Sequence, residues 1–179
     1  AVRLAQKTRA SLAASTSSHH VSLPFIPSQG VHYTETLRAA GPVTRPPGVT
    51  SLSASLHSLD AVPRLGETGR EGDASPPPYS YVFLSPIWPS VSKGAAHAPG
   101  PDLSLDLVAA EFAVRPPALP VVALGGLTPD TARLVSGLGF SGGAALGAVW
   151  DAPNPAAAWA AFVAGLDAGE AAAAAAASP

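Results

Sequence analysis

The sequence contains no cysteine and no methionine, and its only lysines are Lys7 and Lys93. Without cysteine, these residues form neither disulfides nor thiolate metal sites. No uncharged apolar run reaches the eighteen residues of a membrane span, so we expect a soluble protein, cytoplasmic or plastidial, with no membrane partner. The formal net charge is −2 and no basic stripe is present, which argues against a nucleic-acid partner.

The first twenty residues differ in composition from the rest of the chain. They include three basic residues and no acid, and the first carboxylate of the sequence is Glu35. This composition is typical of the end of an organellar transit peptide. We favour a frayed helix in a processed or fragmentary chain, because no methionine precedes it. We therefore divide the chain into a remnant or linker at 1–18, a folded domain at 19–168 and an Ala-rich tail at 169–179.

Short apolar runs of strand length alternate with helical patterns along the chain. The predicted strands are residues 30–34, 50–55, 79–84, 120–124 and 143–149. Helices are predicted from Ser58, over residues 103–112, from Thr128 through Leu138, and after Asn154. This alternation is typical of a parallel α/β protein, either a (β/α)8 barrel or an open doubly wound sheet.

Residues 81–93 are the most informative segment. An apolar run from Tyr81 to Leu84 ends at a Ser-Pro pair, continues through a proline-containing loop and closes on Lys93. Ligands of α/β proteins bind beyond the carboxyl ends of the strands, so a cation in such a loop is positioned to bind an anion. The segment predicts an anionic ligand and makes Lys93 a candidate site residue.

A glycine pair follows the next predicted strand. Gly125 and Gly126 join the apolar run 120–124 to a helix that Thr128 caps and Pro129 opens. Backbone N–H groups at such a turn, together with the helix N-terminus, bind phosphate without a cation. The alternative interpretation is a tight turn that merely requires glycine.

Gly147 decides between the two architectures. It lies where the last predicted strand ends and a helix begins. Two glycine-bearing strand ends in succession match the phosphate site of many (β/α)8 barrels, which is formed after strands seven and eight. An open nucleotide-binding sheet would carry its glycine loop after the first strand, and the sequence has no such loop. We therefore predict an α/β fold of the (β/α)8 TIM-barrel type.

His57 lies at another predicted strand-to-helix junction, in the segment 55–58. A histidine at that position can act as an acid or a base near neutral pH. The alternative is a histidine at a helix N-terminus that is only hydrogen-bonded to Ser58. Three further histidines have too little carboxylate nearby for a metal site, so we assign no metal ligand: His19, His20 and His32.

Taken in this order, the motifs resemble those of the thiamine phosphate synthase/TenI family. The specific matches are residues 81–93, for the family's Y-[VI]-x-x-[SG]-P-[IV]-[FY]-x-[ST]-x-[ST]-K loop, and residues 120–128, for P-[VI]-x-A-[LI]-G-G-[IL]-[TN]. Three supporting matches are to a G-[IV]-H-L strand, an S-x-H-[ST]-x-x-E segment and a closing phosphate strand, at residues 30–35, 55–60 and 143–150.

The resemblance implies a (β/α)8 barrel of the thiamine phosphate synthase type, with small phosphorylated thiazole and pyrimidine substrates. It implies Mg²⁺ as a cofactor if the synthase reaction is retained. It further implies that Gly125, Gly126 and Gly147 bind thiazole phosphate through backbone N–H groups. By the same resemblance, Lys93 and Ser55 contact the leaving pyrophosphate.

Parts of the family pattern have no counterpart in this sequence. Neither an early Q-[LV]-R-x-K motif, which clamps pyrophosphate, nor an Asn-Asp pair after the third strand is found. The segment 34–36 replaces the expected metal aspartate. In our alignment the first strand, the first helix and the second strand are absent. We therefore expect a barrel that is incomplete at its N-terminus.

Three functions are compatible with the resemblance. The first is a synthase that joins hydroxymethylpyrimidine pyrophosphate to thiazole phosphate and releases pyrophosphate, with Lys93 as a catalytic residue. The second is a TenI-like thiazole tautomerase, in which His57 matches the acid/base histidine of that branch and no metal is needed. The third is a non-catalytic phosphate-binding or assembly module that has lost activity. An oligomer is compatible with all three.

Overall fold

The structure is a computed structural model, and it describes residues 30–41, 43–62, 79–89, 100, 103–176 and 178. The predicted N-terminal remnant, both lysines, His19 and His20 lie outside the described residues. Among the helices that the structure describes, none combines the length and the apolar character needed to cross a lipid bilayer.

Five short strands form one parallel sheet, and their order in the sheet follows their order in the chain. The strands are β1 (Gly30–Tyr33), β2 (Ser51–Leu56), β3 (Tyr81–Leu84), β4 (Val121–Leu124) and β5 (Gly142–Ala144). The helices are α1 (Glu35–Ala39), α2 (Leu105–Val114), α3 (Pro129–Ala132), α4 (Gly147–Trp150) and α5 (Pro155–Ala176), with a 3₁₀ turn at Leu59–Ala61. This arrangement confirms the predicted parallel α/β class. Closure into an eight-stranded barrel and the loss of the first two strands stay predictions.

One face of the sheet forms the hydrophobic core. Ala54, Val82 and Val121 lie in one row across three neighbouring strands and are at most 1% exposed. Phe112 of α2 and Phe162 of α5 belong to the same core cluster. Full burial of an aromatic or aliphatic side chain of this kind contributes about 1.5–3 kcal/mol relative to its exposed state. β3 and β4 are nearly continuous apolar runs, whereas β2 alternates serines with the apolar residues that face this core.

On the opposite face of the sheet, β1 and β2 carry polar side chains. The register places His32 of β1 beside Ser53 of β2, and Ser55 of β2 beside Phe83 of β3. Side chains alternate between the two faces of a strand, so these residues point away from the helix-covered core. Ser53 is nevertheless 4% exposed. The polar side of the sheet is therefore a distinct surface on which the candidate site is built.

The helix predicted from Thr128 is shorter than expected, whereas the helix predicted after Asn154 begins where expected. The helix from Thr128 ends at Ala132, because Leu134 and Val135 donate to carbonyls three residues back instead of four. The turns continue to Gly139, whose φ is +86°. The helix after Asn154 does begin at Pro155, and Ala157 N donates to Asn154 Oδ1 at 3.0 Å.

The fifth strand is shorter than predicted. It ends at Ala144 instead of Val149. The Leu146 carbonyl accepts from the backbone N–H groups of Val149 and Trp150, at 3.1 and 2.9 Å, which closes a helical turn in place of a sheet ladder. Gly147 is the first residue of that turn. The predicted position of Gly147, where the strand has ended and a helix begins, is therefore confirmed.

Helix α5 packs against α3 backbone to backbone. A Cβ at Gly165 would meet the Pro129 carbonyl oxygen, and a Cβ at Gly169 would meet the Arg133 carbonyl. The helix also continues to Ala176, through most of the segment that we assigned to the tail. Glycine at these two positions therefore sets how closely the two helices approach.

Gly169→Ala is expected to lower the free energy of unfolding. Its Cβ would lie 2.8 Å from the Arg133 carbonyl carbon, and such overpacking costs about 1–3 kcal/mol, which outweighs the roughly 1 kcal/mol that alanine gains over glycine in a helix. Urea denaturation measures the change. The control is Gly137→Ala, where the nearest atom is Leu134 O at 3.6 Å. Equal effects of the two substitutions would contradict the packing of α5 on α3.

Candidate functional site

The carboxyl ends of parallel strands meet at one edge of a sheet, and α/β proteins bind ligands there. In this chain that edge, called the carboxyl edge below, holds Ser55 and His57 at the end of β2, Ser85 after β3, and Gly125 and Gly126 after β4. Four of these five residues were predicted as site residues from the sequence, and they lie along the same edge: Ser55, His57, Gly125 and Gly126. Ser85 was not predicted.

His32 joins the site through hydrogen bonds to two serines of the adjacent strand. Its Nδ1 lies 2.9 Å from Ser53 Oγ, and its Nε2 lies 2.9 Å from Ser55 Oγ. The edge of the Phe83 ring packs against the imidazole, with the ring centroids 5.6 Å apart. Partial burial of the imidazole lowers the pKa of His32 from its ordinary value of 6.5, because desolvation disfavours the charged form, although the residue as a whole remains exposed. Protonation of His32 is therefore less favourable in the folded protein than in the unfolded chain.

Arg38 supplies a positive charge close to the same strand end. It lies in the last turn of α1, and its Nη2 donates to the backbone oxygen of Ser55 at 2.9 Å. Its Nε is buried and has no hydrogen-bond partner in the described part of the chain. Burial raises the pKa of Tyr79, and the Arg38 charge opposes that rise. A guanidinium is thus fixed beside a predicted ligand-binding residue.

His57 is held by the strand end next to its own. Its Nδ1 lies 2.8 Å from the backbone oxygen of Ser85 and 3.4 Å from Ser85 Oγ. A carbonyl only accepts hydrogen bonds, so Nδ1 carries the proton and Nε2 of the neutral ring is an unprotonated base. The ring is exposed. The recorded partner of His57 is Ser85 instead of the predicted Ser58, and a catalytic role for the ring stays a prediction.

Gly125 and Gly126 allow the loop after β3 to approach the turn after β4 very closely. Their φ angles are +91° and +67°, which L-residues with side chains rarely adopt. A Cβ on Gly125 would lie 3.0 Å from Pro86, and one on Gly126 would lie 2.5 Å from the Trp88 carbonyl oxygen and would also meet Pro89. Turn geometry and packing therefore both require glycine here. Phosphate binding by these amides stays a prediction.

Gly147 lies at the carboxyl end of β5, one strand away from the glycine turn. Its carbonyl accepts from Asp151 N at 3.0 Å. The neighbouring Leu146 and Trp150 are exposed, at 66% and 61%. The position suits the predicted phosphate site, and its role there stays a prediction. Lys93, the remaining candidate, lies outside the described residues.

The described residues hold no preformed cluster of metal-ligating side chains. No three His, Asp or Glu side chains among them are grouped so that they could hold a metal ion. Glu35, in the first turn of α1, is exposed. Mg²⁺ is often bound through one or two carboxylates together with waters and substrate phosphates. Mg²⁺ as a cofactor of the synthase reaction therefore stays a prediction.

Four polar residues of this site were not predicted from the sequence: His32, Arg38, Ser53 and Ser85. His32 was set aside because it lacked carboxylate neighbours, whereas its actual partners are Ser53 and Ser55. Arg38 lies in a five-residue helix that no pattern predicted. The register of β1 on β2 brings these groups together. The alternation of Ser53 and Ser55 with apolar residues along β2 was the one available signal.

The curated proteins that are similar to this chain include two thiamine-phosphate synthases. The chain is 31% identical over 138 residues to a thiamine-phosphate synthase of Geobacillus kaustophilus and 30% identical over 138 residues to that of Geobacillus thermodenitrificans. Each match covers 76% of this chain and 56% of the relative. The chain therefore spans about half the length of the curated relatives that it matches. No protein-family model matches the chain.

A solved structure supports the fold. The thiamine phosphate pyrophosphorylase of Pyrococcus furiosus superposes with a TM-score of 0.52 at 20% sequence identity, covering 79% of this chain and 60% of that protein. The fold is thus a parallel α/β arrangement similar to that of a thiamine phosphate pyrophosphorylase. Together with the curated relatives, it supports a thiamine phosphate synthase/TenI-like family, and the predicted resemblance to that family is confirmed.

Gly126→Ala is expected to cost more stability than Gly48→Ala. Both glycines have positive φ, +67° and +79°, and the left-handed conformation costs a residue with a side chain about 1–2 kcal/mol. Only at Gly126 does the new Cβ meet backbone atoms, since nothing lies within 4 Å at Gly48. The difference between the two losses in chemical denaturation isolates the contact with the loop after β3. A zero difference would show that this contact is absent in solution.

His32 is expected to make stability depend on pH. The pKa of His32 is lower in the folded protein than its ordinary value of 6.5, so the unfolded chain binds more protons as the pH falls. The free energy of unfolding should therefore decrease as the pH falls below about 6.5 and level off below the folded pKa. Urea unfolding between pH 8 and pH 5 should show a smaller decrease for His32→Gln. An unchanged pH dependence in that variant would rule out His32 as the source.

Proposed function

We propose that this chain is part of a thiamine-biosynthetic enzyme that acts as a thiamine phosphate synthase. The proposed reaction joins hydroxymethylpyrimidine pyrophosphate to thiazole phosphate and releases pyrophosphate. The observation that carries the proposal is the match, at 30–31% identity over 138 residues, to two thiamine-phosphate synthases. Polar groups and glycine turns at the carboxyl edge support it, because the reaction requires two anionic groups to be bound there.

The thiazole phosphate is assigned to the glycine-bearing strand ends. In this proposal, the backbone N–H groups of Gly125, Gly126 and Gly147 bind the phosphate. The positive φ angles of Gly125 and Gly126 support this role, because turns of that conformation expose successive amides to an anion. Gly147 begins α4 three residues after the end of β5, so its amide lies at the same edge of the sheet.

The pyrophosphate is assigned to the end of β2. Ser55 donates its hydroxyl proton to the anion, and Lys93, outside the described residues, is the proposed catalytic cation. Arg38 adds positive charge in this proposal. Its Nη2 is bonded to the Ser55 backbone oxygen, so the guanidinium lies next to the proposed pyrophosphate oxygens. Charges fixed in advance stabilise a departing anion without reorganisation at the moment of reaction.

A thiazole tautomerase is the second candidate, and the geometry of His57 favours it. Its Nδ1–H donates to the Ser85 carbonyl at 2.8 Å, which leaves Nε2 free to take a proton from a ligand. Such a base, held in one orientation by its other nitrogen, is suited to general acid–base catalysis. In this reaction Nε2 would remove a proton at the thiazole carbon and return it at another position.

One set of assays tests both candidates on the full-length protein. We expect thiamine phosphate to form from the two substrates, and a complete lack of product would overturn the synthase proposal. His57→Asn should retain coupling if the protein is a synthase. In a tautomerase, the same substitution should slow exchange of the thiazole proton with solvent deuterium by about 10²–10⁴-fold. Asp60→Asn, an exposed neighbour in the 3₁₀ turn, is the control and should change neither rate.

A further inference from the structure

A continuous line of hydrogen bonds runs from the interior of the sheet to its carboxyl edge. Ser53 Oγ contacts Nδ1 of His32, and Nε2 of His32 contacts Ser55 Oγ, each at 2.9 Å. A neutral imidazole has one N–H donor and one bare nitrogen acceptor. The two serines must therefore play opposite roles towards the ring: one donates its hydroxyl proton to His32 and the other accepts from it.

Burial decides which serine donates. Ser53 is 4% exposed, and within the described chain the one recorded partner of its hydroxyl is His32. If Nδ1 carried the proton, the Ser53 hydroxyl proton would point into the structure without an acceptor, which is costly for a buried group. If Nδ1 is bare, Ser53 donates to it and every group is satisfied. Ser53 therefore selects the imidazole tautomer that is protonated on Nε2.

The selected tautomer determines what Ser55 can do. With the proton on Nε2, His32 donates to Ser55 Oγ, and the Ser55 hydroxyl proton is free to point towards a ligand. In the opposite tautomer, Ser55 would use its own proton on Nε2 and would present only lone pairs at the carboxyl edge. An anion accepts hydrogen bonds and is repelled by lone pairs. Only the first arrangement is compatible with an anionic ligand at Ser55.

We propose that Ser53 and His32 are positioning residues that fix the Ser55 hydroxyl as a hydrogen-bond donor to a pyrophosphate oxygen. This inference rests on the proposed function, because Ser55 is the residue assigned there to pyrophosphate. Ser53 and His32 contribute by orientation and do not touch the ligand. The Phe83 ring packed against the imidazole, with centroids 5.6 Å apart, holds the plane of His32 in the direction that both contacts require.

Protonation of His32 itself makes the arrangement depend on pH in a specific way. The titratable and charged groups on the neighbouring elements are Glu35 and Arg38 on α1, His57 after β2, and Tyr81 on β3, which packs against Phe83. Once His32 is protonated, both of its nitrogens donate, so the Ser55 proton is free whatever Ser53 does. Selection by Ser53 therefore matters only while His32 is neutral, and its effect on ligand binding should vanish at low pH.

The first test determines the tautomer directly. In the full chain labelled with 15N-histidine, NMR at pH 8 should show His32 with a bare Nδ1 and a protonated Nε2. Ser53→Ala should shift this signal towards a mixture of tautomers, whereas Ser51→Ala, on the same face of β2 two residues earlier, should leave it unchanged. A proton on Nδ1 in the unsubstituted protein would overturn the inference and leave the proposed function standing.

The second test measures the affinity for inorganic pyrophosphate by calorimetry. Ser55→Ala should weaken binding about tenfold or more at every pH, the loss of a hydrogen bond to a charged group. Ser53→Ala should weaken binding about two- to fivefold at pH 8, because the competent tautomer is then only partly populated. At a pH below the pKa of His32, Ser53→Ala should bind as well as the unsubstituted protein. Ser51→Ala should bind normally throughout.

The outcomes of the second test separate the two proposals. If the unsubstituted protein fails to bind pyrophosphate, the assignment of Ser55 to pyrophosphate in the proposed function is wrong, and the inference is overturned with it. If the protein binds pyrophosphate and Ser53→Ala has either no effect at pH 8 or an equal effect at every pH, the positioning role is wrong and the proposed function is untouched.

Discussion

The contact between the loop after β3 and the glycine turn after β4 is the constraint on which the carboxyl edge depends. Ile87 N donates to Leu124 O at 3.0 Å and Trp88 N donates to Gly125 O at 3.1 Å, so the hydrogen-bonding pattern of the sheet continues beyond the ends of the strands. Gly126 has no room for a Cβ because the Trp88 carbonyl occupies that space. The two segments therefore form a single rigid wall. Ser85, which holds His57, begins one side of that wall, so the orientation of the histidine is set by the same contact.

The helix-covered core keeps that edge in place. Gly143 of β5 faces Leu127, Phe162 and Leu166, with a Cβ there only 2.7 Å from Leu127. Helix α5 thus backs the end of the sheet that carries the glycine turn. At the other end of the sheet, α1 follows β1, and its residue Arg38 donates a hydrogen bond to the Ser55 carbonyl. Both halves of the proposed site are built on strand ends whose backbone carbonyls accept hydrogen bonds from neighbouring segments.

The sequence predicted the parts of the fold that depend on local pattern. β3 and β4 were predictable because they are nearly continuous apolar runs, as expected of parallel strands covered by helices, and the Gly147 boundary because glycine marks a change of element. The prediction that the fifth strand continues to Val149 was wrong, because an apolar run does not reveal that the Leu146 carbonyl closes a helical turn. Arg38 and the partners of His32 were not predictable in the same way. Their contacts come from the register between β1 and β2, which depends on tertiary packing and leaves little trace in a single sequence.

Two glycines of α5 have a structural role that its composition does not reveal. From the composition alone, an Ala- and Gly-rich helix indicates compositional drift, in which any small residue would be tolerated at each position. Gly165 and Gly169, four residues apart, instead form a shallow notch that receives the α3 backbone at Pro129 and Arg133. At these two positions the identity of the residue is dictated by an interhelical distance, whereas exposed alanines such as Ala171 and Ala172 carry no such requirement. Substitutions are therefore tolerated on the exposed side of this helix. On the side that faces α3, steric contact with the neighbouring main chain excludes any residue larger than glycine at these two positions.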